Sequence, residues 1–382
     1  MAFHEVADGL AEMRTSVRRF VETELPVWAK KVDETGTFPS ELMKLLASQG
    51  LLGLRLPEKY GGSGMTLAQY CLVQEELSRC HPMFTILTSG SGGLAPMAIL
   101  RYGTENQKDK YLPPLTRGDA RMAFALTEPG AGSDAASIVT RASPTDSGWE
   151  INGQKQYISH ADSADVVLVI AVTNPDLRAK GGISAFLVDK GTPGMEITRI
   201  ETTMGSAAWT LSEITFENCK VEKTALLGEL GRGFLLASSA LTEGRMSVAC
   251  LCLGAAEKLL EIATDYAKTR TTFGAPLAER QAIQWMLADS ATEIAAARAL
   301  IQQTLMDSDD ESQIRTRASM CKLYCSEVAG RVADKAVQIH GAIGVVRGYE
   351  VERFYRDLRL FRVGEGSSEM QRLVIARDLL RE

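Results

Sequence analysis

The spacing of apolar residues changes twice along the chain, and each change marks a different kind of element. Through about residue 118 apolar residues recur every three or four positions, which predicts amphipathic helices. One predicted helix is capped by Ser40 and ends at Gly50, and another begins at a capping box formed by Thr66 and Gln69. Residues 1–119 are therefore predicted to form an N-terminal helical domain.

Strand-length apolar runs replace this pattern over residues 120–229. Residues 166–172 and 183–188 are continuous, β-branched runs, whereas residues 212–216 alternate between apolar and polar. Segments rich in Gly, Pro, Asn and Asp separate these runs and are typical of turns. The pattern predicts a small all-β middle domain.

Long amphipathic stretches return after residue 230 and continue to residue 382. They cover roughly residues 233–268, 280–306 and 312–340, which predicts a C-terminal domain of long helices. The acidic segment 307–311 is interpreted as a solvated turn between antiparallel helices.

Composition indicates a multidomain protein with an ordinary globular interior. The 382 residues exceed the roughly 250 to 300 at which one hydrophobic core stops growing. A net charge of −6 argues against nucleic acid or an anionic membrane as the main partner. No apolar run is long enough to span a bilayer, and the first residues do not resemble a secretory signal, so a cytoplasmic location is expected.

Cysteine and histidine give no support for disulfides or a metal centre. The seven cysteines are an odd number without a CxxC pair, and Cys321 with Cys325 fits two packed thiols better than a metal site. The four histidines are scattered, with no HExxH motif. We expect no bound metal.

Two separate segments carry the candidate chemistry. Residues 124–134, FALTEPGAGSD, combine two glycines with the hydroxyls of Thr127 and Ser133, and Tyr157 and Ser159 follow downstream. Free backbone N–H groups and short donors can hold a phosphate and a flat ring, although a Pro-Gly-x-Gly-Ser run is by itself also typical of a surface turn. The second segment is GEGSSEMQ at residues 364–371.

Together these segments resemble the acyl-CoA dehydrogenase family of flavoproteins. Further similarity covers LPEKYGG near residue 60, INGQK at 151–155, RTTFGAPLAERQAIQWMLAD at 270–289 and QIHGAIG at 338–344. The resemblance implies an α+β multidomain fold: an N-terminal all-α domain, a β-barrel-like or orthogonal central sheet, and a C-terminal four-helix bundle. It also implies FAD as cofactor, although Gly341 and Gly344 lack the βαβ context of a Rossmann site.

The resemblance places a catalytic base at Glu365. Dehydrogenation next to a thioester needs a base for the α-proton, and burial beside an acyl chain would raise the pKa of a glutamate towards neutrality. Some relatives instead carry the base on a helix immediately before an arginine that matches Arg245, but here that position is Gly244. Glu243 points about 100° away on such a helix, so Glu365 is the clear candidate, with Arg245 expected to orient its loop.

Other site positions follow from the resemblance alone. Thr242 stands where an aspartate is common, and Gly364 stands where many relatives place a tyrosine. The positions implied to contact substrate are Ser133, Thr242, Arg245, Gly364 and Gly366. Those implied near the flavin ring and its phosphates are Leu126, Thr127, Ser133, Tyr157 and Ser159.

The adenine half of FAD is implied to contact a neighbouring subunit, so a homotetramer or homodimer is expected. The matching positions are Arg270, Phe273, Gln281, Gln338 and Ala342, with Ser367 and Glu369 near the adenosine end. Electron-transfer flavoprotein is the implied electron acceptor. Three alternatives stay open: enoyl-CoA reduction, elimination with a redox-silent flavin, and a flavin-free scaffold.

Overall fold

The protein has helices at both ends of the chain and a sheet between them, as seen in a computed structural model that describes residues 3–306 and 311–380. This order confirms the predicted fold class. Residues 307–310 of the predicted acidic turn lie outside the described residues, and Glu311 is the first residue of a helix. In the described part of the chain, no helix is long and apolar enough to cross a bilayer.

The N-terminal part is built from packed helices around a buried helix α4. Their bounds are α1 Phe3–Thr23, α2 Pro26–Thr35, α3 Ser40–Ser48, α4 Leu67–Cys80, α5 Phe84–Gly92, α6 Leu94–Tyr102 and α7 Glu105–Thr116. The capping box of Thr66 and Gln69 is confirmed at the start of α4. The predicted cap at Ser40 is wrong, because extended Pro39 occupies the N-cap position and Ser40 is the first helical residue.

The central sheet curls around its own core and packs its outer face on helices. Its strands are β1 Met122–Ala125, β2 Arg141–Pro144, β3 Gly148–Ser159, β4 Val166–Val172, β5 Ile183–Asp189, β6 Met195–Thr202, β7 Thr210–Glu222 and β8 Leu226–Leu227. The strand order is β6-β7-β3-β2-β4-β5-β8, with β1 paired to β4. Every residue of β4 is buried, since one face meets the sheet core and the other meets α6, α7 and α8, which explains its continuous apolar run.

Long helices form the C-terminal part. The elements are α8 Gly233–Thr269, β9 Thr271–Thr272, β10 Ala275–Pro276, α9 Gln281–Met306, α10 Glu311–His340, α11 Glu350–Arg359 and α12 Ser368–Leu379. Helices α8 and α10 run parallel: Arg245 bonds Ser319 near one end, and the Tyr266 and His340 rings stack at 4.2 Å near the other. Helix α8 therefore spans the molecule from the sheet to the far end of the bundle.

Candidate active site

Glu365 lies in the loop between the short 3₁₀ helix Leu360–Arg362 and α12. The residue is partly buried, but Oε2 of its carboxylate is enclosed and has no hydrogen-bond partner within residues 3–306 and 311–380. Burial raises the pKa of this carboxyl to about 7, and the positive charges of Arg245 and Lys322 oppose the increase. A carboxylate in this environment suits proton abstraction at neutral pH.

Two buried side chains hold the loop that carries Glu365. Nζ of Lys322 donates to the Gly366 carbonyl at 2.7 Å, and Nε2 of Gln371 donates to the same oxygen at 2.8 Å and to the Glu365 carbonyl at 3.2 Å. Both side chains are fully buried. Sequence reasoning missed them, although Ser319, Lys322 and Ser326 form a polar stripe at helical spacing on a largely apolar helix.

Helix α8 presents a glycine to the Glu365 carboxylate. A Cβ placed on Gly244 would lie 2.7 Å from Oε2 of Glu365. The next residue, Arg245, is buried and donates from Nη1 to Oγ of Ser319 at 3.2 Å. Glu243 turns to another side of the helix, where it pairs with Arg101 and with Arg55.

A buried ion pair supports the segment at residues 124–134. Nζ of Lys155 donates to the Leu126 carbonyl at 3.0 Å and to Glu128 at 2.8 Å, while Gln156 donates its N–H to the Thr127 carbonyl at 2.9 Å. Burial lowers the pKa of Lys155 to about 8, so the lysine is still charged at neutral pH. Leu126 and Thr127 are thereby fixed beside β3, half-buried at the surface of the sheet.

An irregularity in β3 exposes Tyr157. Pairing with β7 shifts register between Lys155 and Ile158, and Tyr157 takes a left-handed conformation (φ 57°) with 56% of its surface exposed. Such a bulge re-aims a side chain out of the regular pleat. Tyr157 therefore offers a flat, accessible ring next to the 124–134 segment.

Trp209 connects this strand to the Glu365 loop. Its indole N–H donates to Oγ of Ser159 at 3.1 Å, which leaves the serine hydroxyl free to donate elsewhere. The Trp209 ring packs against Phe361 with centroids 5.6 Å apart, and Phe361 lies four residues before Glu365. Trp209 thus lies between Ser159 at the end of β3 and the residues that lead into the Glu365 loop, and sequence reasoning had not identified it.

The remaining nearby positions differ in accessibility. Gly364 is exposed and its backbone is not left-handed. Among the described residues, an added Cβ would meet only the Leu360 carbonyl, at 3.6 Å. Thr242 is half-buried on α8, and Ser133 is exposed. Ser367 caps α12 by accepting from the Met370 N–H, and Glu369 is exposed in the first turn of that helix.

The positions matched to the adenine half lie at the opposite end of the bundle. All are exposed, and Phe273 is fully exposed in a left-handed conformation (φ 49°): the set is Arg270, Phe273, Gln281, Gln338 and Ala342. From Arg245 to the end of α8 the axis runs for roughly 36 Å at 1.5 Å per residue. One chain does not bring this set to Glu365.

An exposed Tyr157 ring, the Ser159 hydroxyl and the enclosed Glu365 carboxylate are groups that could hold a flat ligand, and comparison with known proteins gives the family. Profiles of the N-terminal, middle and C-terminal domains of acyl-CoA dehydrogenases match residues 8–119, 123–219 and 231–380. The chain belongs to the acyl-CoA dehydrogenase family. It is an oxidoreductase acting on CH–CH bonds with FAD as cofactor.

Individual relatives of this acyl-CoA dehydrogenase include both reductases and a dehydrogenase. The chain is 39% identical to a 3-(aryl)acrylate reductase of Clostridium sporogenes, over 97% of this chain and 98% of that protein. It is 38% identical to the caffeyl-CoA reductase–Etf complex subunit CarC of Acetobacterium woodii, over 97% and 98%. The butyryl-CoA dehydrogenase structure from Megasphaera elsdenii superposes with a TM-score of 0.91 at 36% identity, covering 97% of this chain and 98% of that one.

Proposed function

We propose that Glu365 is the base that removes the α-proton of an acyl-CoA thioester, which this enzyme converts to a trans-2-enoyl-CoA. The observation that carries the proposal is the enclosed Oε2 of Glu365, for which the described residues offer no hydrogen-bond partner. Buried polar atoms without a partner are rare, and at a site of this kind they mark a place where a ligand binds.

Glu365 and the residues around it have separate roles in proton transfer. Glu365 accepts the α-proton on its carboxylate, and its pKa of about 7 makes it a stronger base than an exposed glutamate. Arg245 keeps a fixed positive charge beside that carboxylate. Gly244 leaves room for the carboxylate against α8, and Gly366 accommodates the left-handed turn (φ 88°) that aims it there.

The residues on the sheet side fit the flavin. When bound, FAD supplies the acceptor for the hydride that leaves the β-carbon. Thr127 and Ser159 would donate hydroxyl hydrogen bonds to the ring edge, Leu126 would line the ring, and the exposed Tyr157 ring would stack on it. Ser133 would donate to a phosphate of FAD or to the pantetheine arm of the substrate, and Thr242 would contact the CoA portion.

We further propose a homo-oligomer, most simply a tetramer of two dimers, in which the far end of the bundle serves a neighbouring subunit. Arg270 would pair with the pyrophosphate there through the N–H donors of its guanidinium group. The other positions matched to the adenine half of FAD lie at the same end: Phe273, Gln281, Gln338 and Ala342. Exposed apolar side chains at the same end support a covered interface: Phe273, Trp285, Ile343, Val345 and Val346. Ser367 and Glu369 would approach the adenosine.

Electron-transfer flavoprotein is proposed as the electron acceptor. Support comes from the relative named as a subunit of a caffeyl-CoA reductase–Etf complex. A cytoplasmic location is proposed with it, because the cysteines are free in the described part of the chain, as is usual in a reducing compartment.

The substrate proposed is a bulky acyl-CoA, with a branched, cyclic or aromatic acyl group. A Cβ at Gly364, next to the base, would make one ordinary contact with the described residues, to the Leu360 carbonyl at 3.6 Å, and the backbone conformation there does not require glycine. The 3-(aryl)acrylate reductase relative is consistent with this preference. That relative also favours a second candidate function, the reduction of a 2-enoyl thioester by the same residues in reverse.

Anaerobic titration with a panel of acyl-CoAs, followed by loss of flavin absorbance, tests the function. We expect saturable bleaching with at least one saturated acyl-CoA. If saturated thioesters leave the oxidised flavin unchanged while enoyl thioesters reoxidise the reduced enzyme, the reductase assignment replaces the dehydrogenase assignment.

A further inference from the structure

A buried lysine contacts the loop that carries the base. Lys322 lies on α10, 44 residues before Gly366, and its side chain is fully buried with Nζ 2.7 Å from the Gly366 carbonyl. Removing a cation from water is costly, and a methionine of similar length would fill the same space at lower cost. The position of the charge therefore calls for a functional reason.

We propose that Lys322 is a positioning residue for the dehydrogenation: it fixes the backbone of the Glu365 loop and keeps a positive charge beside the carboxylate. The proposal rests on the proposed role of Glu365 as base. It assigns two separable contributions to one side chain, a hydrogen bond and a charge.

The backbone contribution follows from an unfavourable conformation. Glu365 and Gly366 are consecutive left-handed residues, with φ of 56° and 88°. This conformation costs free energy for a residue with a Cβ, so surrounding contacts must hold Glu365 in it. Lys322 and Gln371 both donate to the Gly366 carbonyl, and Gln371 also reaches that of Glu365.

The charge contribution depends on which groups surround the Glu365 carboxylate and Lys322. They come from three helices: Arg245 and Cys252 on α8, Glu327 on α10, and Glu369 on α12. Arg315 on α10 acts on Arg245. Burial raises the pKa of the Cys252 thiol to about 12, so it is neutral, and Glu369 is exposed to solvent.

The acidic neighbour Glu327 is already paired. It accepts from Arg362 at 2.6 Å and from Ser368 at 2.7 Å. Arg245 and Lys322 are therefore the two cations that lower the pKa of Glu365 against its burial. Burial lowers the pKa of Lys322 itself to about 8, so the ammonium is still charged where Glu365 titrates.

Four variants separate the charge from the hydrogen bond. Lys322→Met removes both, Lys322→Gln keeps a donor without charge, and Lys322→Arg keeps the charge. Gln371→Met is the matched control, because it removes a neutral donor to the same carbonyl. We would measure the pH profile of kcat/KM and, independently of turnover, the infrared carboxyl band of Glu365 against a Glu365→Gln reference.

Lys322→Met and Lys322→Gln should each move the acid limb of the kcat/KM profile to higher pH by about one pH unit, and the infrared titration of Glu365 should move with it. At pH values below that limb, kcat/KM should therefore fall about tenfold. Lys322→Arg should leave both near wild type. Gln371→Met should lower kcat/KM by a factor that does not change with pH. Should Lys322→Met fail to fold, Lys322→Gln carries the same prediction.

An unchanged infrared titration of Glu365 in the folded neutral variants would overturn the proposal, as would an equal shift in Gln371→Met. The infrared readout reports on Glu365 whether or not it is the base. Failure of the base assignment would appear separately, as a Glu365→Gln enzyme that still turns over.

Discussion

Gly244 on α8 directly faces the carboxylate of Glu365: a Cβ built on Gly244 would lie 2.7 Å from Oε2 and 3.0 Å from Cδ of Glu365. A contact of that length between a methyl group and a carboxylate is not tolerated, so any side chain at position 244 must displace the base. The same geometry explains how a glutamate at position 244 on α8 could replace Glu365 on the loop, since side chains at the two positions reach the same place.

Gly244→Ala should therefore slow flavin reduction without loss of FAD. Displacement of a reacting group by about 1 Å can cost up to ~10²-fold in rate. Rapid-mixing reduction by a saturating acyl-CoA would measure the effect.

Gly9→Ala on α1 is the control for a glycine-to-alanine change within a helix, because a Cβ there has no described atom within 4 Å and should stabilise its own helix by roughly 0.5–1 kcal/mol. Moving the carboxylate in the double variant Gly244→Glu, Glu365→Gly should recover part of the activity lost in Glu365→Gly alone. Wild-type reduction rates in Gly244→Ala would show that the carboxylate does not need its present position.

Arg270→Ala tests whether flavin retention depends on subunit assembly. If Arg270 holds the FAD of a neighbouring subunit, its loss should release flavin on dilution and lower the melting temperature, since a ligand bound only to the native state stabilises by mass action. The ratio of flavin to protein absorbance and the molecular mass in solution would be measured together.

Lys268→Ala is the matched control for charge, because Lys268 is an exposed cation two residues earlier at the same end of α8. It should retain FAD. Equal flavin content in both variants would show that Arg270 does not hold FAD.

Gly364→Tyr should penalise bulky substrates selectively. The new ring would fill the space beside the base that a bulky acyl group is proposed to use, and overfilling such a site typically costs 1–3 kcal/mol, or roughly 5- to 150-fold in rate. Comparison of kcat/KM for butyryl-, isobutyryl-, octanoyl-, cyclohexanecarbonyl- and 3-phenylpropanoyl-CoA in the two proteins would show it. A uniform loss across the panel would mean that the glycine serves the loop and not substrate choice.

Most of the fold could be predicted because local pattern and tertiary environment agree. The run at Val166–Val172 was predicted at its observed bounds, since burial of β4 on both faces makes every residue apolar. The long helices α8, α9 and α10 differ from their predicted ends by about one residue.

The supporting residues of the site could not be predicted in the same way. Lys155, Trp209 and Lys322 act through contacts with residues far away in sequence. Locally, Lys155 and Lys322 resemble ordinary strand and helix residues, and Trp209 stands in the connection just before β7. The bulge that exposes Tyr157 depends on pairing with β7, which no local pattern encodes. The motif residues were found by resemblance, whereas their supports emerged from the three-dimensional contacts.

The pKa of Glu365 predicts a pH-dependent effect of Glu365→Gln on stability. Because burial raises this pKa from the ordinary glutamate value to about 7, the protonated form favours folding and the ionised form opposes it. The stability contribution is present below the ordinary value of about 4.3 and is lost as the pH rises through about 7. The variant should therefore gain melting temperature over wild type at about pH 8.5 but little at about pH 5. Identical differences at both pH values would contradict a raised pKa.

The rate of flavin reduction in Glu365→Gln tests the central claim most directly. The amide keeps the size of the side chain and cannot accept the α-proton, so the variant should retain FAD and fold yet reduce the flavin at least ~10²-fold more slowly, the scale of a removed general base. Anaerobic stopped-flow mixing with a substrate that bleaches the wild-type enzyme would give both rates. A variant that holds FAD and reduces it at near wild-type rate would show that another group takes the proton.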